Sequence, residues 1–177
     1  MIESLDEHTP VIDSTAWAHP TAVVIGEVTL GPRVSIWPGV VLRGDDGPLV
    51  VEEDSNIQDG AVLHNTGGLS ATVVGPRVTV GHRAILHGCR VESDCIIGMG
   101  SIVMDNAVIG SGSIVGAGAV VTMGKVIPPN SLVLGNPGRV ARATTEKDLN
   151  WIRHSWIHYV QNAARHMARD EGPGSLS

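Results

Sequence analysis

The chain has 177 residues and a formal charge of −6, which excludes the clustered cationic surface that a nucleic-acid partner needs. It carries 22 glycines, 3% aromatic residues and no phenylalanine, so its core has to be narrow and repetitive, and the length suits one domain better than two. No run of about 18 apolar residues is present to span a bilayer. Residues 1–9 carry Glu3, Asp6 and Glu7 without an apolar stretch of signal-peptide length, which predicts a soluble, cytoplasmic protein.

Aliphatic residues recur every six positions. They run Val24, Leu30, Ile36, Leu42, then Val51, Ile57, Leu63, then Val74, Val80, Leu86. After one shortened step they resume as Val91, Ile97, Val103, Ile109, Val115, Val121, Ile127 and Val133. Small side chains sit two places earlier (Ala61, Ala84, Cys89, Cys95, Ser101, Ala107), and glycine often follows directly, as at Gly81, Gly98 and Gly110. An amphipathic helix repeats at 3.6 residues and a half-buried strand at 2, whereas a period of six is the signature of a parallel β-helix. Three short sides per coil make a triangular prism, and eighteen sites predict six coils.

Three interruptions break the period. Residues 43–48 are expected to bulge at a corner, residues 65–70 to form a surface loop, and the step from Leu86 to Val91 is one residue short, immediately after His87. Past Val133, Gly135-Asn136-Pro137-Gly138 ends the repeat with turn chemistry. A helix is expected next, capped by Thr144 or Thr145, with Glu146 and Asp148 in its first turn. Its apolar stripe comprises Leu149, Ile152, Trp156, Tyr159 or Val160, Ala163 and Met167. The expected organisation is a β-helix over 1–142, a helix packed on it over 143–170, and a disordered tail over 171–177.

Counting sites in threes places Leu42, Leu63 and Leu86 in one column, so Arg43, His64 and His87 stack one place later. Adjacent coils lie about 4.8 Å apart, close enough for His64 and His87 to share an ion. Ile57 and Val80 stack in another column, which puts Asp59 beside His82 on a different side of the prism. His82 is thus expected to complete the site of a neighbouring chain, and closed cyclic symmetry makes a trimer the simplest assembly. Three histidines without a fourth protein ligand describe a catalytic metal site with one position left to water. Zinc is expected there, with Fe(II) or Co(II) open.

Asn56 and Gln58 are amides able to orient a bound nucleophile or small anion. Arg43, Asp45 and Asp59 suggest ion pairs across the subunit contact. Cys89 and Cys95 fall at the small inward position and read as core thiols. Trp37 is expected to point outward as an interface residue, and His8, His19, His154, His158 and His166 to be solvated.

Arg43-Gly44-Asp45, Asn56-Ile57-Gln58-Asp59, His64, Gly81-His82 and Leu86-His87-Gly88-Cys89 together resemble the γ-class carbonic anhydrase family, left-handed β-helix proteins with hexapeptide repeats, over roughly residues 11–165. The resemblance implies a homotrimer in which His64 and His87 of one chain and His82 of the next bind zinc or iron. It implies that Gln58, helped by Asn56, orients the nucleophile and bicarbonate, that Arg43, Asp45 and Asp59 tie subunits together, and that Tyr159 approaches the site from outside. The chain lacks the longer acidic loop, with its proton-shuttling glutamate, of the best-characterised members. Residues 65–72 hold no carboxylate, and Asp46 is the only acid beside Arg43-Gly44-Asp45. That departure bears on turnover and not on the ligand set. The leading expectation is reversible hydration of CO2; the alternatives are an acyl-CoA thioesterase or acyltransferase, and a non-catalytic scaffold for a metal or siderophore.

Overall fold

A computed structural model describes residues 1–170; the expected tail, 171–177, lies outside the described residues. The chain winds as a parallel β-solenoid of about seven turns with a single helix at its C-terminal end. Each short strand pairs in parallel with the strand one coil away, and three aliphatic columns run down the interior. One is Leu42, Leu63, Leu86, Val103 and Val121. A second is Ile36, Ile57, Val80, Ile97, Val115 and Val133. The third is Leu30, Val51, Val74, Val91, Ile109 and Ile127. All of these side chains are buried, and their removal from water is the main stabilising term, about 1.5–3 kcal/mol each.

The six expected coils become about seven because the repeat begins two sites earlier, with Ile12 paired to Leu30 and Ala18 to Ile36. Corners are made by a residue in the left-handed region three places before most of the aliphatic sites, including Asp54, Arg77, Arg83, Asp94 and Asn106. Each donates its backbone N–H to the preceding coil, as Arg83 does to the Asp59 carbonyl at 2.9 Å and Asp94 to that of Pro76 at 3.0 Å. Gly98 serves differently: a Cβ there would come within 2.5 Å of the Ala117 nitrogen in the next coil.

Residues 43–48 bulge as expected, within the strand Val41–Val51: Gly44 pairs with Gly26 and Leu49 with Val28 of the strand Val23–Leu30, so residues 45–48 leave the ladder opposite Glu27. Beyond Val133 the chain makes an antiparallel hairpin, Ser131–Leu134 with Arg139–Ala143, which the repeat pattern had not indicated.

The helix spans Glu146–Asp170. Thr145 caps it: the Thr145 hydroxyl accepts from the Asp148 N–H at 3.3 Å, and the Asp148 carboxylate accepts from the Thr145 N–H at 2.7 Å. Its Ile152 and Ala163 are buried on the side facing the solenoid, whereas Leu149 lies near Gly112 and stays exposed. Trp37 points out of the prism, as expected, on the face that the helix takes. Its ring meets Trp17 at 5.1 Å, Tyr159 at 5.3 Å and His166 at 5.3 Å between centroids. His166, expected to be solvated, packs against both tryptophans. Among the described residues no helix is long and apolar enough to cross a membrane.

Candidate functional site

The strands Val62–His64 and Ile85–His87 are neighbours in register, with the His64 and His87 Cα atoms directly paired. Their side chains leave the prism side by side, and His64 Nδ1 lies 3.2 Å from His87 Nε2. The opposite nitrogen of each ring meets a carboxylate. His64 Nε2 is 2.9 Å from Asp45 Oδ1, and His87 Nδ1 is 3.0 Å from Asp105 Oδ2. Burial pushes both carboxyls up, but hydrogen bonds outweigh it, from His64 and Arg43 at Asp45 and from Ser70, His87 and Thr66 at Asp105. Both therefore sit below the usual carboxylate range, and an ionised carboxylate can only accept.

This geometry dictates the ring protons. Each imidazole carries its N–H toward its carboxylate, leaving two lone pairs facing each other across 3.2 Å. Such an arrangement is repulsive unless a cation lies between the nitrogens. Two nitrogens each about 2.0–2.1 Å from one tetrahedral ion lie about 3.3–3.4 Å apart, so the pair fits a zinc-sized ion without rearrangement. Asp45, Asp46 and His64 also bring ligand atoms within 4.8 Å of one another. Asp45 is already committed to Arg43 and His64, however, and the Asp46 carboxylate reaches the same His64 Nε2 at 3.4 Å. The imidazole pair is the better donor set.

His82 occupies another face. It follows the strand Thr79–Val80, which pairs with Asn56–Ile57, and its Nδ1 lies 2.9 Å from Asp59 Oδ2, again leaving Nε2 free. It lines a groove of about 490 Å³ between the helix and the sheet that carries the Ile36 to Val133 column, together with Gln58, Tyr159, Ile96, Met99, Ile114 and Trp151. Gln58 is buried and donates to Asn56 Oδ1 at 3.1 Å; Asn56 donates to Thr79 Oγ1 at 3.0 Å, which meets Ser155 Oγ at 3.0 Å. Burial, then the charge of Asp59, raises the pKa of the half-buried Tyr159 hydroxyl.

The sequence-derived set thus divides in two. Arg43, Asp45, His64 and His87 gather on one face, while Asn56, Gln58, Asp59, His82 and Tyr159 gather on or beside the other. Within the chain, Asp45 and Asp59 hold imidazoles, a role the sequence reading had not given them. It missed Asp105, Ser70 and Thr72 altogether. The register Leu86 to Val103 places Asp105 one coil beyond Gly88 and could have located it. Cys89 and Cys95 are buried free thiols, each pushed up to about 12 by desolvation.

Residues 88–122 match the family model "Bacterial transferase hexapeptide (six repeats)". The chain is 51% identical over 140 residues to the Methanocaldococcus jannaschii protein named "Probable carbonic anhydrase", covering 79% of this chain and 87% of that one. It is 38% identical over 172 residues to "Gamma carbonic anhydrase 1, mitochondrial" of Arabidopsis thaliana; the match covers 94% of this chain but only 62% of the plant protein's length. It is also 44% identical to the carnitine operon protein CaiE of Escherichia coli O157:H7, over 88% of this chain and 79% of CaiE. The crystal structure of a hexapeptide transferase family protein from Anaplasma phagocytophilum superposes with a TM-score of 0.88 at 39% identity, covering 92% of this chain and 96% of that one.

Proposed function

The chain belongs to the γ-class carbonic anhydrase-like family of hexapeptide-repeat proteins, and from that premise we propose that it catalyses CO2 + H2O ⇌ HCO3⁻ + H⁺ at metal centres shared between the chains of a homotrimer. The observation that carries this reading is the pair of facing lone pairs on His64 and His87, each ring's N–H being taken by a carboxylate, matched by His82 held the same way on another face. His64 and His87 of one chain and His82 of its neighbour would hold the ion. Three neutral imidazoles suit zinc, Fe(II) or Co(II). The bound ion supplies Lewis acidity and a nucleophile at neutral pH.

The chain's own residues supply the rest. Gln58 spends its amide N–H on Asn56, which leaves its carbonyl oxygen to accept from an attacking water and orient it toward carbon. Asn56, Thr79 and Ser155 keep that amide from turning. Tyr159 retains its proton at neutral pH and can donate to an oxygen as negative charge develops. Arg43 pins Asp45, which in turn aims His64. The apolar wall of Ile96, Met99, Ile114 and Trp151 suits an uncharged gas.

A second reading, hydrolysis of an acyl thioester at the same centre, is favoured by the groove, which is far larger than CO2 requires. Stopped-flow hydration of CO2 with a pH indicator, on protein reconstituted anaerobically with zinc or Fe(II), separates the two. Hydration abolished by His82→Ala supports the proposal. A fully metallated trimer that leaves CO2 untouched but cleaves an acyl-CoA refutes it in favour of the second reading.

A further inference from the structure

We propose that Asp105, held by Ser70, is the positioning residue that fixes the tautomer of His87, and that the loop between His64 and Thr72 is shaped to hold this pair. Asp105 is 5% exposed, yet it belongs to a coil that carries none of the three histidines. The Ser70 hydroxyl accepts from the Thr66 N–H at 3.1 Å, which turns its own proton onto Asp105 Oδ1 at 2.6 Å. The other carboxylate oxygen is thereby left to His87 Nδ1 at 3.0 Å. A Cβ on residue 88 would lie 2.0 Å from Ser70 Oγ and 2.3 Å from Asp105 Oδ1, so only a glycine leaves room for the pair beside the imidazole. Thr72 braces the arrangement: its hydroxyl donates to the His64 carbonyl at 2.6 Å and accepts from the Gly88 N–H at 2.8 Å, fixing the spacing of the strands that carry the two rings.

The role follows from what His87 could do without Asp105. Its proton could move to Nε2 and be donated to His64 Nδ1, 3.2 Å away, satisfying both rings and closing the space between them. Asp105 prevents that collapse by demanding the proton on Nδ1.

The test uses the metal-free full chain with ¹⁵N-labelled histidine. Imidazole NMR at neutral pH should show His87 as the Nδ1–H tautomer in the wild type and as the Nε2–H tautomer in Asp105→Ala. Asp105→Asn, which serves if the alanine variant misfolds, has a single oxygen that Ser70 takes, turns its NH2 toward His87 Nδ1 and should likewise give Nε2–H. Ser70→Ala should give a mixture that Ser70→Thr restores. In competition with a chromophoric chelator, zinc affinity should fall about 10–100-fold in Asp105→Ala. An unchanged His87 tautomer in both Asp105→Ala and Ser70→Ala overturns the proposal. The tautomer readout stands whatever reaction the protein catalyses, whereas the zinc readout rests on the proposed ligand set. A tautomer switch with undiminished zinc affinity would therefore uphold the positioning role and reject His87 as a ligand.

Discussion

Gly88→Ala is the substitution whose cost the structure specifies most fully. Residue 88 has φ +59, where an L side chain costs about 1–2 kcal/mol. The added methyl would also displace Ser70 and Asp105, breaking a hydrogen bond to a carboxylate worth about 1.5–3 kcal/mol. The sum is about 2.5–5 kcal/mol, or about 5–20 °C in Tm for a chain of this size. Gly100→Ala is the control, because it has φ +65 but nothing within 4 Å of its Cβ and should lose the backbone cost alone. Thermal unfolding of the metal-free variants at equal chain concentration reads the difference, expected near 2 kcal/mol. Equal losses in the two variants would refute the packing of Ser70 and Asp105 against Gly88.

Three further outcomes are expected. Cys89 and Cys95, with thiols pushed up to about 12, should be inert to a disulfide reagent at pH 8 and both react once the chain is unfolded; labelling of the native protein would contradict their burial. Arg77 holds the Asp94 carboxyl below the usual range through paired hydrogen bonds of 2.8 Å. Its stabilisation is therefore present above the unfolded value of about 3.9 and lost as pH falls through the lower folded value. Asp94→Asn should be less stable than the wild type at pH 7 and converge with it at the acid end of a denaturation series. Finally, Asp46→Asn should keep zinc while His87→Ala loses it in equilibrium dialysis; the reverse would favour the cluster of Asp45, Asp46 and His64.

The period of six specified the solenoid because every coil buries the same column positions, and counting in threes was enough to place His64 on His87 and Asp59 beside His82. Counting located the interruptions but not what they touch. The extra residues at 43–48 leave the ladder between Gly44 and Leu49, and Val23–Leu30 runs alongside and supplies backbone partners on both sides of the bulge. Asp105 and Ser70 escaped notice because they reach His87 from a later coil and from a loop outside the repeat, each an ordinary polar residue until the register is known. His166 was misjudged for a related reason: a helix residue is solvated only on the side turned away from the prism, and the repeat does not say which face the helix takes.

The central claim is that the two halves of the site, His64 with His87 and His82, are joined only between chains. The most direct measurement unfolds His82→Ala and His87→Ala together, refolds them at equal concentration, and determines zinc content and CO2 hydration. Each variant alone should be empty and inactive. In a trimer assembled at random, about a quarter of the interfaces pair an intact His64 and His87 with a neighbour's intact His82, so the mixture should recover about a quarter of the wild-type zinc and activity. A mixture as empty as its parents would contradict a shared centre.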